Sequence, residues 1–329
     1  MNLLITGATG FIGARLALRC LETGESVRVL AQVNNASEEE NRDLLERHGA
    51  EIVIGSVTDE TSVQKAVDGV NVVYHLAAAQ HEANVADQHF WDVNVKGTRN
   101  VLEASIRAGV TRFVHGSTIG VYGAAMDGEL DEETPLQPDN IYGVTKREGE
   151  FLASSYADRL PLVVIRISET YGPGDRRLLK LFRAIQKGAF FMIGRGDNKH
   201  QLIYVDDLVE GLRMAASNPQ AVGKVFVLAG REILTTEQMV STIATALGVQ
   251  RKKLRAPMWP FLLAATILEA VLRPVGVQPP LHRRRMDFFR KSFFFSRDRT
   301  MNVLGFEPAT DFDDGAAQTA RWYRDRGYL

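Results

Sequence analysis

Residues Thr6-Gly7-Ala8-Thr9-Gly10-Phe11-Ile12-Gly13 limit what this chain can fold into more than any other stretch. A short apolar run, Leu3-Leu4-Ile5, precedes them, and an amphipathic helical pattern from Phe11 to Thr23 follows and stops at Gly24. Between a strand and a helix, three glycines at this spacing have separate jobs. Gly7 permits the tight turn, Gly10 lets the backbone approach a diphosphate, and Gly13 lets the helix pack close to the strand. The helix N-terminus then offers free N–H groups and the positive end of its dipole to phosphates. The competing reading is a turn with no ligand. Its position at the head of a strand–helix series is what favours a dinucleotide cradle.

That series continues. Strand patterns fall at 26–30, 52–54, 70–75, 111–115 and 162–167, with helical patterns at 59–67, 94–108 and 142–157 between them. Strands alternating with helices at this spacing predict an α/β fold, a doubly wound parallel sheet covered on both faces. Beyond residue 200 the alternation weakens. A helix is expected over 205–216, a strand over 224–228, and a helix over 235–247 opened by Thr235 with Gln238 as a capping box. The last 80 residues read as irregular.

Net charge is −1, which argues against a general nucleic-acid binder. The single cysteine, Cys20, excludes an internal disulfide or cysteine-based zinc site and suits a reducing compartment. Its neighbours Leu16, Ala17 and Leu21 make it a core residue. His75, His81 and His89 form no ligand pattern with carboxylates, so no metal is expected, and His75 reads as the end of a buried strand. No leader pattern opens the chain, and the apolar run 259–272 is too short to span a bilayer. A cytoplasmic protein is expected, with that run as a core helix; a substrate-cavity wall or an interfacial helix are the alternatives. Residues 251–300 carry 12 Lys/Arg against 3 Asp/Glu, a local balance of +9. This reads as solvated surface and paired arginines, or else as a surface for an anionic substrate, a phosphate or an acidic lipid headgroup, so peripheral membrane contact stays open.

Tyr142 and Lys146 stand at i and i+4, on one face of a helix. An ordinary phenol, with a pKa of about 10, is a poor base at neutral pH. A nearby ammonium favours the phenolate. Tyr142 can then exchange a proton with an alcohol or carbonyl while hydride moves to or from a nicotinamide, and Lys146 can also hold the nicotinamide ribose. The strand Phe113–Thr118 ends in two hydroxyls, which can bond a substrate oxygen or serve as a polar strand end or helix cap. At the end of the second strand stand Ala31 and Gln32, with neither an acid for a ribose 2′-OH nor an arginine for a 2′-phosphate. Gln32 or Asn34 can bond either form. The cofactor is therefore NAD or NADP, with NAD the first choice.

Taken together, Thr6-Gly7-x-x-Gly10-x-x-Gly13, His75-Leu76-Ala77-Ala78, Asn94-Val95-x-Gly97-Thr98, Ser117-Thr118-x-x-Val121-Tyr122-Gly123, Tyr142-Gly143-x-x-Lys146, Tyr171-Gly172-Pro173-Gly174 and Tyr204-Val205-Asp206-Asp207 resemble the extended short-chain dehydrogenase/reductase family, also called the NAD-dependent epimerase/dehydratase family. Pro279-Pro280-Leu281, Phe295-Ser296, Leu304-Gly305-Phe306-x-Pro308 and Trp322-Tyr323 are similar to its 3β-hydroxysteroid dehydrogenase-like branch. The resemblance implies a Rossmann domain of residues 1–165 and 202–229 and a smaller substrate-binding domain of 166–201 and 230–329. It implies a homodimer formed through two helices of each subunit. It makes Thr118, Tyr142 and Lys146 catalytic. Its cofactor residues would be Gly7, Gly10, Phe11, Ile12, Gly13, Gln32, Ser56, Val57, Leu76, Ala77, Ala78, Asn94, Ser117, Ile167 and Ser168, beside Tyr142 and Lys146. Its substrate residues would be Gln80, Thr118, Glu169 and His200.

The chain departs from the family pattern in three places. Ser56 stands where members often carry Asp against the adenine. Ile119-Gly120 follow Thr118 where the sugar 4,6-dehydratases carry Asp-Glu, which disfavours water elimination. Glu169 and His200 replace an Asn and an Arg that meet nucleotide-sugar substrates. The expected function is an NAD(P)-dependent oxidoreductase acting on a secondary alcohol or ketone, first as a nucleotide-sugar epimerase or related sugar dehydrogenase. The alternatives are a dehydrogenase or reductase for a steroid-like or other apolar alcohol, and a non-catalytic NAD(P)-binding protein.

Overall fold

A computed structural model describes residues 1–80, 85–123, 128–251, 254–272 and 286–329 of the chain. His81 and the Pro279-Pro280-Leu281 motif lie outside the described residues. Seven parallel strands form the central sheet: β1 (Asn2–Thr6), β2 (Ser26–Ala31), β3 (Glu51–Ile54), β4 (Val72–His75), β5 (Arg112–Thr118), β6 (Leu162–Ile167) and, after four short strands, β11 (Val225–Leu228). Their order is β11-β6-β5-β4-β1-β2-β3. Strand order reverses at β1, between β2 and β4, so the crevice beyond the C-terminal ends of β1 and β4 is the switch point where such sheets take ligands.

The sheet is doubly wound because its residues alternate. Leu3, Ile5, Val72, Tyr74, Val114 and Ile165 pack on one face. Against them lie α1 (Phe11–Glu22) and α8 (Val205–Ser217), through Leu16, Ala17, Cys20, Leu208 and Leu212. Leu4, Val73, Phe113 and Val164 point the other way. There α3 (Glu60–Val67), α5 (Thr98–Arg107) and α6 (Ile141–Ser154) cover them through Val63, Ala66, Val101, Leu102 and Ala153. A period of two along each strand places an apolar row on both faces. Cys20 is a core residue as expected, and burial pushes its thiol up to about 12.

Four helices fall outside the expected elements or their bounds. In α2 (Ala36–Arg47) only Leu45 is buried, and Asn35 starts the helix by accepting from the Ser37 and Glu38 amides. The helix expected from Asn94 begins earlier, as α4 (Asp87–Trp91), and runs through a π-helical turn, Asp92–Gly97, into α5. Later come α7 (Leu179–Gln186) and, within the stretch expected to be irregular, α11 (Phe312–Asp325). With α9 (Thr236–Leu247), opened by the expected Thr235–Gln238 capping box, these two build a separate core around Tyr171, Phe182, Met239, Ile243, Phe312 and Tyr323. The short strands are β7 (Thr170–Tyr171), β8 (Met192–Ile193), β9 (Lys199–His200), β10 (Ile203–Tyr204), β12 (Leu234–Thr235) and β13 (Arg255–Ala256). They pair as β7 with β10, β8 with β13 and β9 with β12.

The apolar run at 259–272 is helical, as α10 (Met258–Leu272), but it is not a core helix. Only Ala265 and Glu269 are buried, and four large apolar side chains face outward. Composition alone implied burial, but no element covers that face among the described residues. No helix among the described residues is long and apolar enough to cross a membrane.

Candidate active site

The cradle closes by contact with its neighbour strand. Gly7 has φ +73°, and a Cβ there would lie 2.7 Å from the Ala77 amide nitrogen, so the turn rests on the backbone leaving β4. A Cβ on Gly13 would lie 2.4 Å from the Gly7 carbonyl oxygen, so α1 sits directly on the turn. Both positions exclude any side chain. The β1 and β4 ends are locked together: the Ala77 amide donates to Thr6 Oγ1 (3.2 Å), and Thr6 Oγ1 lies 2.8 Å from His75 Nδ1. Gly10 caps α1 without a side-chain bond, and no acid stands in the first turn. The amides of Phe11, Ile12 and Gly13 are thus directed to the crevice with no competing carboxylate, which fits a diphosphate.

The expected cofactor residues collect along one sheet edge. Gln32 follows β2, Ser56 and Val57 follow β3, and Leu76, Ala77 and Ala78 follow β4. Gln32 Nε2 donates to Asn34 Oδ1 (3.1 Å), and Ser56 Oγ lies 2.9 Å from Thr58 Oγ1. Val57 is buried and its carbonyl accepts from Asn100 Nδ2 (3.0 Å). Asn94 is buried and works as a clamp. Its Oδ1 accepts from the Ala79 amide at 2.8 Å, and its Nδ2 donates to the Ala79 carbonyl and to Thr145 Oγ1. It therefore ties the loop after β4 to α6.

Thr118 ends β5, and α6 carries Tyr142 in its first turn and Lys146 one turn on. Asn140 starts α6 by accepting from the Gly143 amide at 3.0 Å. Thr118 Oγ1 accepts from the Gly120 amide at 3.1 Å, so the hydroxyl is also a cap. That bond uses an acceptor lobe and leaves the O–H to donate toward a substrate oxygen. A Cβ on Gly120 would lie 3.5 Å from Thr118 Oγ1 and 3.8 Å from the Tyr142 ring, so the two side chains meet over Gly120. Lys146 is buried, and its Nζ donates to the Gly116 carbonyl at 2.5 Å. Burial lowers its pKa to about 8, against the opposing pull of Glu150 one turn further along α6.

Behind these groups lies a polar network that the sequence reading did not foresee. Glu150 pairs with Arg166 (2.6 Å) and accepts from Ser117 Oγ (2.7 Å). Arg166 also donates to Tyr122 OH and to the Glu132 carbonyl. The network bolts α6 to the ends of β5 and β6. Glu150 stands at i+4 from Lys146, the same spacing that singled out Tyr142 and Lys146, and that was its available signal. Ser117, expected at the cofactor, turns its hydroxyl into this network instead. Ser168 likewise points inward, donating to the Gln201 carbonyl at 2.6 Å, while Ile167 pairs in register with Thr118. His115 is fully buried beside His75, with neither ring nitrogen bonded among the described residues. Burial and the nearby Lys146 hold it well below the usual histidine range.

Glu169 and His200 come together, with His200 Nδ1 3.1 Å from Glu169 Oε2. The second ring nitrogen of His200 lies 3.0 Å from Thr236 Oγ1, and its ring packs on Phe288. Burial opposes charge on Glu169, but the His200 bond and Arg177 hold its carboxyl below the usual range. Gln80 is exposed, at the end of a described stretch.

The model of the NAD dependent epimerase/dehydratase family matches residues 3–229, and the chain belongs to that family. A dTDP-glucose 4,6-dehydratase of Streptomyces niveus is 28% identical over 99% of this chain and 93% of its own. The N-acetyl-alpha-D-glucosaminyl-diphospho-ditrans,octacis-undecaprenol 4-epimerase of Escherichia coli O157:H7 is 31% identical over 78% of this chain and 75% of its own. A 3beta-hydroxysteroid-dehydrogenase/decarboxylase of Arabidopsis thaliana is 27% identical over 96% of this chain and 61% of its own. Among solved structures, the UDP-glucuronic acid 4-epimerase from Bacillus cereus in complex with NAD superposes with a TM-score of 0.81 at 23% identity, covering 100% of both chains. The chain is thus an enzyme of the extended short-chain dehydrogenase/reductase type.

Proposed function

We propose that this enzyme inverts or oxidises a secondary hydroxyl on a sugar carried by a diphosphate, with NAD as its cofactor. The observation that carries this reading is that Thr118 and Tyr142 meet over Gly120, at the sheet edge that also holds the open N-terminus of α1. The α1 amides would hold the diphosphate of NAD and Lys146 its nicotinamide ribose, and the cofactor so held would supply the hydride acceptor for a sugar carbon and, in an epimerase, the donor for its return. Tyr142 takes the hydroxyl proton as that carbon is oxidised. Lys146, charged near neutrality, favours the phenolate. Thr118 donates to the same substrate oxygen and holds it against Tyr142. The sugar epimerase among the relatives supports this substrate class. The dehydratase relatives support it only as far as the sugar, because buried Ile119 and Gly120 follow Thr118 and provide no acid for water elimination. The homodimer would form through α5 and α6.

One observation favours a second reading, a dehydrogenase for an apolar secondary alcohol. The charged carboxyl of Glu169 repels a phosphate where the family pattern has a neutral amide, and His200 is already bonded on both ring nitrogens.

The test begins with mass analysis of cofactor retained by the purified protein, followed by turnover of a panel of nucleotide sugars and of a sterol. The first reading expects sugar C–O inversion or oxidation. Net NAD(P)H change with the sterol and none with the sugars would overturn it in favour of the second. Tyr142→Phe is expected to lose turnover about 10²–10⁴-fold while still retaining cofactor; unchanged turnover would refute the role given to Tyr142.

A further inference from the structure

Helix α10 carries a single charge in fifteen residues, Glu269, and turns it inward. Trp259, Leu263, Ile267 and Val271 are 69%, 54%, 53% and 61% exposed. Residues four apart advance about 40° around a helix, so these side chains form one continuous band about 18 Å long. The exposed residues between them, Thr266 and Ala270, are uncharged. On the other side of the helix, next to its buried face, the Phe261 ring packs 5.8 Å from that of Phe191 and holds the helix to the body of the protein, so the band itself is left uncovered. A contiguous apolar band of this kind marks a surface that meets a partner.

Charge decides which partner. The segment 251–300 that contains α10 holds 12 Lys/Arg against 3 Asp/Glu. Acids from outside the segment pair with some of these cations: Glu237 with Arg251 and Arg255, Asp139 with Lys291, and Glu133 with Arg299. Even so, Arg255, just before the helix, stays half exposed beside Glu237, and it bonds the carbonyl of the largely exposed Arg195, which itself pairs with Asp197. A two-fold contact of this face with its own copy would set like charge against like charge. An acidic lipid surface complements both the cations and the apolar band. At about 22 Å the helix is shorter than the hydrocarbon core of a bilayer, about 30 Å, so it would lie along the interface.

We propose that α10 docks this enzyme on a bilayer surface containing acidic phospholipid, with the Trp259–Leu263–Ile267–Val271 band at the boundary of headgroups and acyl chains. This holds whichever substrate the active site takes. The test is flotation of the full chain with phosphatidylcholine vesicles, with and without phosphatidylglycerol. The protein is expected to float with the acidic vesicles and to be released by salt at about 1 M, where the Debye length is about 3 Å. The double variant Leu263→Asp/Ile267→Asp is expected to lose at least about tenfold in vesicle affinity. It should keep the wild-type circular dichroism, cofactor retention and sedimentation coefficient. The proposal is overturned if the wild type stays out of the acidic vesicles, or if the variant floats as well as the wild type. It is also overturned if the variant changes only its oligomeric state, since the band would then cover a second copy.

Discussion

Lys146 holds a charge where burial disfavours one. Its pKa falls from 10.5 to about 8, while its Nζ keeps a bond to the Gly116 carbonyl. A displacement of that size corresponds to about 3 kcal/mol. The sign follows from proton counting. Between about pH 8 and 10.5 the unfolded chain holds the extra proton, so stability rises with pH in that window. Below it the full cost is present. Replacing Lys146 with Met removes the buried cation and also one hydrogen bond worth about 1 kcal/mol. Lys146→Met is therefore expected to gain about 1–2 kcal/mol near pH 7 and to keep little of that gain by pH 10. It should lose turnover about 10²–10⁴-fold. Urea unfolding at both pH values, with a turnover assay, checks the pair; a destabilised variant at pH 7 would mean that the ammonium is a structural tie. Tyr142 and Lys146 were legible as a pair because helix spacing is fixed. The aim of Ser117 is set by an equally fixed rule, but the resemblance to the family, which put it at the cofactor, overrode that rule. Neighbouring strand residues point to opposite faces, so Ser117 follows Phe113 toward α6 while Thr118 ends at the site.

Most elements with periodic burial were readable; α7 and α11 also bury a stripe at helical spacing, but α7 is only eight residues long and the stripe of α11 is largely small residues, Gly315, Ala316, Thr319 and Ala320. Sheet strands were found within a few residues because their apolar rows face helices on both sides. Polar α2 rests on its Asn35 cap and on helix-forming residues, so periodicity has little to report there. Helix α10 shows the opposite failure: its composition is that of a core, but exposure depends on what packs against a face, and the sequence does not display that. The glycine cradle was readable because its constraint is local. A methyl group at Gly13 would meet the Gly7 carbonyl oxygen at 2.4 Å and Ala8 Cα at 2.7 Å, both backbone atoms that cannot step aside. Gly13→Ala is therefore expected to lift α1 off the turn, costing about 1–3 kcal/mol of stability and at least about tenfold in NAD affinity. Thermal unfolding and a cofactor titration measure the two effects. A variant that binds NAD as tightly as the wild type would show that the amides of α1 do not depend on this close contact.

The whole molecule combines a sheet sandwiched between two helical layers with a separate core built by α7, α9 and α11. The outer surface of the α5–α6 layer is the face proposed for dimerisation. Phe151 on α6 is 53% exposed, with the Arg147 guanidinium 5.9 Å from its ring. It lies on the helix that carries Tyr142 and Lys146, so a partner seated there would brace the catalytic helix from outside, while the Glu150–Arg166 pair braces it from within. An aspartate at 151 has little to disturb in the monomer, because the phenyl ring is mostly in solvent. In a dimer it would place a charge in an apolar contact and cost several kcal/mol. Phe151→Asp is therefore expected to sediment as a monomer with wild-type circular dichroism and to lose part of its turnover. The α10 variant should sediment as the wild type does. If both variants leave the wild type's oligomeric state unchanged, the dimer does not use α6; if only the α10 variant dissociates, the two apolar faces have exchanged roles.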